Sequence, residues 1–195
     1  MTERGDTATR ILDVAQELAQ TRGYNAFSYA DISEQVGIRT ASIHYYFPNK
    51  SDLGRALIGR YQRTAEQVFA QIDRATQDPR QKLRRYSEIF LHFMLHGERM
   101  CLGGILAADI LTLPSEIRAE VQAFFDLNER WLARVLDQGR KAELLRFTGS
   151  PEVEARLLVA SLEGALLVAR SYGDADRYRE LADKLLTDQE APVAD

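Results

Sequence analysis

The sequence is poor in the features that mark exported, disulfide-bonded or membrane proteins. It has one cysteine, Cys101, so a disulfide framework within one chain is impossible, which suits a reducing cytosol. No stretch approaches the roughly 18 apolar residues that a membrane span needs. The N-terminal segment MTERGDTATR is polar and charged and contains no apolar signal core. We therefore expect a cytoplasmic protein.

Strand signals and helix breakers are scarce as well. Only 12 glycines and 5 prolines interrupt the 195 residues, and they fall between segments of helical periodicity. A hydrophobic fraction of 45% is enough for one or two compact domains, each with a core. The sequence therefore predicts an all-α fold.

The common catalytic motifs are missing. The sequence has no P-loop, no G-x-S-x-G and no G-x-G-x-x-G, and its segment HFMLH lacks the glutamate of a zinc-protease H-E-x-x-H. Its 3 histidines and scattered carboxylates do not define a reaction. We expect neither enzymatic activity nor a cofactor.

The N-terminal quarter predicts two helices followed by a tight turn. The segment TATRILDVAQELAQTRG places apolar residues at helical spacing, and its last residue, Gly23, ends the first helix. Ser28 and Asp31 form an S-x-x-D capping box at the start of a second helix. Gly37 then supplies the turn.

A short third helix is predicted over residues 40–47, because Pro48 cannot continue it. A helix, a turn with glycine and a second helix, preceded by a bracing helix, have the spacing of a helix-turn-helix. In this arrangement Ile43 and Phe47 lie four residues apart and should pack inward. The outward face then carries Thr40, Ala41, His44 and Tyr45, with Tyr46 to one side.

The aromatic residues on this outward face suit DNA. Tyrosine and histidine combine a flat apolar body with a polar tip, and the major groove offers both hydrogen-bonding base edges and thymine methyl groups. The alternative is that the aromatic side chains are half-buried anchors for the next helix, which holds for Phe47 and remains open for Tyr46. The net charge of −4 argues mildly against a nucleic-acid partner. Between residues 39 and 63, however, Asp52 is the only acidic residue, and five residues are positively charged: Arg39, Lys50, Arg55, Arg60 and Arg63.

Residues 11–53 resemble the TetR family of bacterial transcriptional regulators. Their sequence is ILDVAQELAQTRGYNAFSYADISEQVGIRTASIHYYFPNKSDL, in which GY, FS, VGI and YYF followed by lysine match the family pattern in order. The resemblance implies a homodimer that binds a palindromic operator, most often as a repressor, and is released by a small-molecule effector. We expect a DNA-binding domain over residues 1–50 and an effector-binding and dimerisation domain over residues 51–195.

The resemblance also assigns DNA contacts. It implies that Thr40, Ala41, His44 and Tyr45 meet bases or nearby sugars. It further implies that the Ser28 hydroxyl and the adjoining helix N-terminus meet a phosphate, that Tyr46 and Lys50 contact the backbone, and that Asn49 caps the fourth helix.

Two positions depart from the family pattern. Arg39 replaces a residue that is often a small hydroxyl residue, and it could reach a guanine edge or a phosphate, or remain a solvated surface charge. His44 replaces a residue that is often tyrosine. Both changes affect which operator is read.

The rest of the chain predicts six further helices, the sixth between Gly104 and Leu111 and the eighth apolar on almost every face. The resemblance implies that the last two helices form a four-helix dimer interface. The alternative is an internal core helix. The resemblance further places an effector among the middle helices, and nine residues are candidates for its site: Tyr86, Phe90, Phe93, Met94, Cys101, Phe124, Asn128, Trp131 and Glu163. Most of these residue types are more often core residues than ligand contacts.

The segment HFMLHGERMC holds His92, His96 and Cys101. Two histidines and one cysteine do not complete a tetrahedral structural site, so we expect no metal. Cys101 could instead be a reactive thiol that senses electrophiles, or a small buried hydrophobic residue. A last alternative for the whole protein is an α-helical interaction module that does not bind DNA.

Overall fold

The structure is a computed structural model that describes residues 3–191, with side chains from residue 5 onward. In this range the chain forms nine α-helices and two short 3-10 turns, and no strand, which confirms the all-α prediction. The helices are α1 (Glu3–Arg22), α2 (Tyr29–Val36), α3 (Thr40–Tyr46), α4 (Lys50–Ala75), α5 (Pro79–Leu95), α6 (Leu102–Ala108), α7 (Ser115–Lys141), α8 (Pro151–Tyr172) and α9 (Ala175–Thr187).

Local chemistry explains most helix ends. The predicted capping box of α2 is present: the backbone N–H of Ser28 donates to Asp31 Oδ2 over 2.7 Å, and Gly37 ends the helix with a φ of 73°. Asn49 caps α4 as predicted, because its Oδ1 accepts a hydrogen bond of 2.9 Å from the N–H of Asp52. None of the helices in residues 3–191 is long and apolar enough to cross a membrane.

Two predicted boundaries were wrong. α3 ends at Tyr46, one residue early, because Phe47 takes extended backbone angles ahead of Pro48. α6 covers Leu102–Ala108 instead of residues 104–111, and the 3-10 turn Ile110–Thr112 follows it. Within α6, residue 103 is a glycine next to the Phe124 ring, and a Cβ at that position would overlap the ring.

The chain divides into two compact units. The first comprises residues 3–63 and 101–124 of the described range, and the second residues 64–100 and 125–191. The predicted boundary between a DNA-binding and an effector-binding domain, at residue 50, lies inside the first unit and stays a prediction. The outer ends of the two predicted domains, residues 1–2 and 192–195, lie outside the described residues.

The core of the first unit combines the helix-turn-helix with α6 and the start of α7. Its fully buried residues include Ile11 of α1, Ile32 of α2 and Ile43 of α3. Gly54 of α4 is needed because a Cβ there would lie 2.5 Å from the Tyr24 hydroxyl and 2.6 Å from Ile117 Cδ1. The burial of Ile43 in this core anchors α3 to the unit.

The second unit is a bundle built around α5, α8 and α9. The buried Tyr178 of α9 donates a hydrogen bond of 2.9 Å to the backbone oxygen of Ser87 on α5. An isolated antiparallel bridge joins Leu145 and Glu190, and the N–H of Arg146 donates to the oxygen of Gln189 over 2.8 Å. The end of the described chain is therefore tied to the α7–α8 connection.

Candidate nucleic-acid interface and effector region

One face of α3 is buried and the other is exposed. Ile43 is fully buried and Phe47 is buried, which confirms that these two residues pack inward. Arg39, Ala41 and His44 are exposed, and the Tyr45 side chain is 62% exposed. Thr40 and Tyr46 are half-buried. The helix therefore presents a surface about two turns long that combines charged, small and aromatic side chains.

His44 is held in one orientation by residues on both sides. Its Nδ1 lies 3.0 Å from the backbone oxygen of Pro48, and its ring lies 4.7 Å, centroid to centroid, from that of Tyr29. The Tyr29 hydroxyl donates to the backbone oxygen of Phe47 over 2.9 Å. Burial, with a smaller contribution from Asp52, raises the pKa of Tyr29 to about 12, so the phenol keeps the proton that it donates.

Tyr29, which supports His44 from below the exposed surface, was not predicted from the sequence. It is the first residue of α2, directly after the capping residue Ser28, and it is buried. An aromatic residue after a helix cap and 15 residues before His44 was the available signal. That signal is weak because the contact between α2 and α3 depends on how the helices cross.

Tyr45 and Tyr46 contact each other edge to face, with ring centroids 5.2 Å apart and planes at 84°. Because Tyr46 is half-buried, it limits the freedom of the exposed Tyr45 ring. Arg39 occupies the N-cap position of α3 and makes no side-chain capping hydrogen bond. Its guanidinium is therefore not used to start the helix.

The hydroxyl of Ser28, predicted to contact a phosphate, is used within the fold. It donates to Asp31 Oδ2 over 2.6 Å, and this hydrogen bond is the main reason why the pKa of Asp31 lies below its usual range. The predicted phosphate contact would have to exchange with that bond or use the first backbone N–H groups of α2. It stays a prediction.

Two of the cations that the sequence placed near DNA also have partners within the fold. The Lys50 ammonium donates to the backbone oxygen of Phe27 and lies 4.9 Å and 4.4 Å from the ring centroids of Tyr24 and Phe27. Burial lowers its pKa. Arg60 donates to Asp13 Oδ1 over 2.6 Å. The local positive charge that faces solvent is therefore smaller than the residue count suggested.

The nine effector candidates fall into both compact units. Cys101 and Phe124 belong to the first, and the other seven to the second. In the second unit Tyr86, Phe90, Met94, Asn128 and Trp131 are buried, whereas Phe93 and Glu163 are half-buried. The Tyr86 hydroxyl donates to Asn128 Oδ1 over 2.9 Å, and the structure thus brings these two candidates into direct contact.

An aromatic stack and a part-buried ion pair lie side by side in the second unit. The Phe69 and Trp131 rings stack with centroids 4.7 Å apart. Trp131 Nε1 donates to Asp73 Oδ2 over 3.0 Å, and the buried Lys82 donates to Asp73 Oδ1 over 2.7 Å. Burial alone would raise the pKa of Asp73, but these two hydrogen bonds and the lysine charge hold it below its usual range. The sequence reasoning missed this pair, because Lys82 reads as a surface residue.

Cys101 is buried, with 3% of its surface exposed. The Tyr61 hydroxyl lies 3.7 Å from its Sγ, and the Tyr61 ring lies 5.3 Å from that of Phe124. Cys101 thus occupies the place of a small hydrophobic residue in the first unit. His92 and His96 stack on each other at 3.9 Å, and among residues 3–191 no group of three or more possible ligands could hold a metal ion.

The outer face of α8 is apolar and exposed in the single chain. On α8, Leu157 is 52% and Leu167 is 58% exposed, and Val153 and Val168 are exposed as well. On α9, Leu181 is exposed. Ser161 and Gly164 lie between them in an open groove against α9. The alternative of an internal core helix is therefore wrong, because only one side of α8 is buried within the chain.

The comparisons with known proteins identify the family. Residues 11–57 match the family described as bacterial regulatory proteins, tetR family. A TetR-family transcriptional regulator from Agrobacterium tumefaciens has a crystal structure that is 37% identical and superposes with a TM-score of 0.92 over 96% of this chain and 99% of its own. A TetR regulator from Legionella pneumophila is 34% identical, with a TM-score of 0.85 over 92% and 95%.

A curated relative points the same way. The transcriptional repressor NemR of Escherichia coli is 24% identical over 85% of this chain and 84% of its own length. The exposed recognition-helix face and the helical fold agree with this assignment. The chain belongs to the TetR family of bacterial transcriptional regulators.

Proposed function

We propose that the protein is a dimeric, ligand-responsive repressor that binds a palindromic operator and is released by a small molecule. The observation that carries the proposal is the geometry of α3. A seven-residue helix, anchored by the buried Ile43, leaves Arg39, Ala41, His44 and Tyr45 exposed on its outer face. Base edges and thymine methyls are the surface that such side chains fit.

DNA contact follows from this surface and its neighbours. We assign base or sugar contacts to Arg39, Thr40, Ala41, His44 and Tyr45, and backbone contacts to Ser28, Tyr46 and Lys50. Within this assignment, residues 1–50 form the DNA-binding domain and residues 51–195 the effector-binding and dimerisation domain. The protein then acts in the cytoplasm, where its operator lies.

A homodimer through α8 and α9 is supported by the exposed leucines of α8. Several large aliphatic side chains on one helix face would stay in water in a monomer. Because Leu157 and Leu167 are about half exposed, burial by a partner would contribute about 1 kcal/mol for each. The exposed Ala160 and Gly164 on the same helix allow two copies to approach closely. A twofold dimer also reads two half-sites, which one short helix cannot do.

The effector is proposed to bind among the middle helices, near Tyr86, Phe90, Phe93, Met94, Asn128, Trp131 and Glu163, with Cys101 and Phe124 as further candidates. These residues provide aromatic surface and a few placed polar groups, which is the usual composition of a small-molecule site. Binding would favour one of two dimer geometries and so change the spacing of the two α3 helices.

The test is DNA binding across a salt series, using the sequence upstream of the protein's own gene. We expect tight binding that weakens steeply with salt, and a loss of at least about 100-fold in the double variant His44→Ala, Tyr45→Ala. His92→Ala, which changes an exposed histidine on α5, is the matched control and should bind like the wild type. If that promoter and its neighbours show no salt-dependent binding, the protein-interaction module becomes the better account.

Thiol sensing through Cys101 is less well supported. The side chain is almost fully buried beside Tyr61, so a reagent in solution reaches it only when the first unit opens. We infer that Cys101 is a core residue. Rapid alkylation of Cys101 in folded protein, at a rate close to that of an unfolded control, would reverse this inference.

A further inference from the structure

We propose that His44 reads an exocyclic amino group of an operator base, with its Nε2 acting as a hydrogen-bond acceptor. The amino groups in question are N6 of adenine and N4 of cytosine in the major groove. The inference rests on the proposed DNA binding and adds to it the chemical group that residue 44 recognises. It follows from the contacts that hold the imidazole in the structure.

The first step concerns the tautomer. His44 Nδ1 lies 3.0 Å from the backbone oxygen of Pro48. A carbonyl oxygen can only accept a hydrogen bond, so the proton of this bond belongs to Nδ1. In a neutral imidazole the other nitrogen, Nε2, then carries a lone pair and no proton. The backbone of Pro48 thus sets which polar group His44 can present.

The second step concerns rigidity. The Tyr29 ring lies against the imidazole at 4.7 Å, and the Tyr29 hydroxyl fixes the oxygen of Phe47, next to Pro48. The ring of His44 is therefore held between α2 and the residues that follow α3, while the residue as a whole remains exposed. A hydrogen-bonding group that is already oriented loses little conformational entropy on binding.

The third step concerns the partner. In the major groove, adenine N6 and cytosine N4 are the hydrogen-bond donors, whereas guanine O6 and N7, adenine N7 and thymine O4 accept. An acceptor at Nε2 pairs with the amino groups and with none of the other four atoms. Arginine or lysine at this position would only donate, and a tyrosine hydroxyl could do either. His44 therefore makes the recognition at its position selective for a donor.

The tautomer can be measured without DNA. Nitrogen NMR of histidine-labelled protein at about pH 8.5, where histidine is neutral as a class, should show His44 with a protonated Nδ1 and a bare Nε2. His44→Gln assigns the resonance among the three histidines. A His44 ring protonated at Nε2 would overturn the inference and leave the proposed repressor function untouched.

The base contact is tested with modified operators at the same pH. N6-methyladenine and N4-methylcytosine keep base pairing and replace the major-groove N–H by a methyl group, whereas 7-deazaguanine and 7-deazaadenine remove an acceptor. We expect one amino group in each half-site whose methylation weakens wild-type binding about tenfold. The loss should vanish in His44→Ala and persist in Tyr45→Ala.

Two results would overturn the inference. One is coupling of His44 to a 7-deaza position instead of an amino group, and the other is the same methylation penalty in wild type and His44→Ala. Both leave DNA binding itself intact. A wild-type protein that binds no DNA in a salt-dependent way would overturn the proposed function, and this inference with it.

Discussion

Each compact unit has a helix with one buried and one exposed face, and the exposed faces of the two helices differ in chemistry. On α3 the exposed side chains carry polar tips, as in His44 and Tyr45. On α8 they are aliphatic, as in Leu157 and Leu167. A surface with polar tips suits a partner that offers hydrogen-bonding groups at fixed positions, whereas an aliphatic surface suits another apolar surface. This difference supports the proposals that the α3 surface contacts DNA and that the α8 surface contacts a second copy of the chain.

The largest expected effect is the loss of the proposed dimer when the exposed leucines of α8 are replaced by glutamate. We predict that Leu157→Glu with Leu167→Glu converts the dimer to a folded monomer. A twofold interface loses each leucine twice and gains four carboxylates in their place, so the cost is about 6 kcal/mol or more of dimerisation free energy. Sedimentation velocity measures it. Leu111→Glu is the control, because Leu111 is 89% exposed but lies in the first unit.

The same double variant tests whether operator recognition by α3 requires a dimer. Its α3 surface is unchanged, so weak, salt-dependent binding to any DNA should survive while the preference for the operator disappears. If the variant stayed dimeric, the assignment of α8 to the dimer interface would be wrong. If it became monomeric and still bound the operator as tightly as the wild type, reading by a twofold dimer would be wrong.

A smaller effect concerns the interior that supports the α8 bundle. Asp73→Asn removes the charge that faces the buried Lys82. Because Asp73 is 39% exposed, we predict a loss of about 2 kcal/mol in the free energy of unfolding, less than for a fully buried pair. Chemical denaturation of the wild type, of this variant and of the exposed-site control Asp126→Asn measures it.

The pH dependence of that loss follows from the sign of the pKa shift. The pKa of Asp73 is lower in the folded chain than in the unfolded one. Its stabilising contribution is thus complete above the unfolded value of about 4 and is lost as the pH falls through the lower folded value. The difference between wild type and Asp73→Asn should therefore narrow below about pH 4. A difference that stays constant across this range would contradict the assignment of the ion pair.

The smallest effect concerns the edge of the α3 surface. We predict that Arg39→Ala weakens operator binding by about 1 kcal/mol and relaxes base preference at one position of each half-site. Selection from a randomised operator library measures both the affinity and the base preference. Arg146→Ala, an exposed arginine in the second unit, should change neither. Unchanged affinity and unchanged preference would make Arg39 a solvated surface charge.

The parts of the fold that local chemistry decides were predictable from sequence. The capping box at Ser28, the cap at Asn49 and the inward face at Ile43 all depend on residues within one or two turns of each other. Helical periodicity and the prolines that open α5, α7 and α8 predicted the remaining helices, and their total of nine agrees with the architecture that the resemblance implies. The placement of DNA contacts and of the effector remains a set of predictions.

What the sequence could not show depends on contacts between distant segments. Arg60 reaches Asp13 across 47 positions, and Trp131 reaches Asp73 across 58. A charge count therefore overstated the cations available to DNA. Likewise, apolar residues on all sides of α8 do not reveal which side the chain itself covers. Only the packing against α9 and α5 separates its covered side from its exposed one.

The measurement that tests the central claim most directly is a hydroxyl-radical footprint on the operator at moderate salt. A twofold dimer that reads DNA with two copies of α3 should protect two equivalent half-sites, symmetric about one centre and separated by about one helical turn, roughly 34 Å, or a multiple of it. The protection should disappear in the His44→Ala, Tyr45→Ala variant. A single asymmetric footprint, or protection that survives in the variant, would contradict the account.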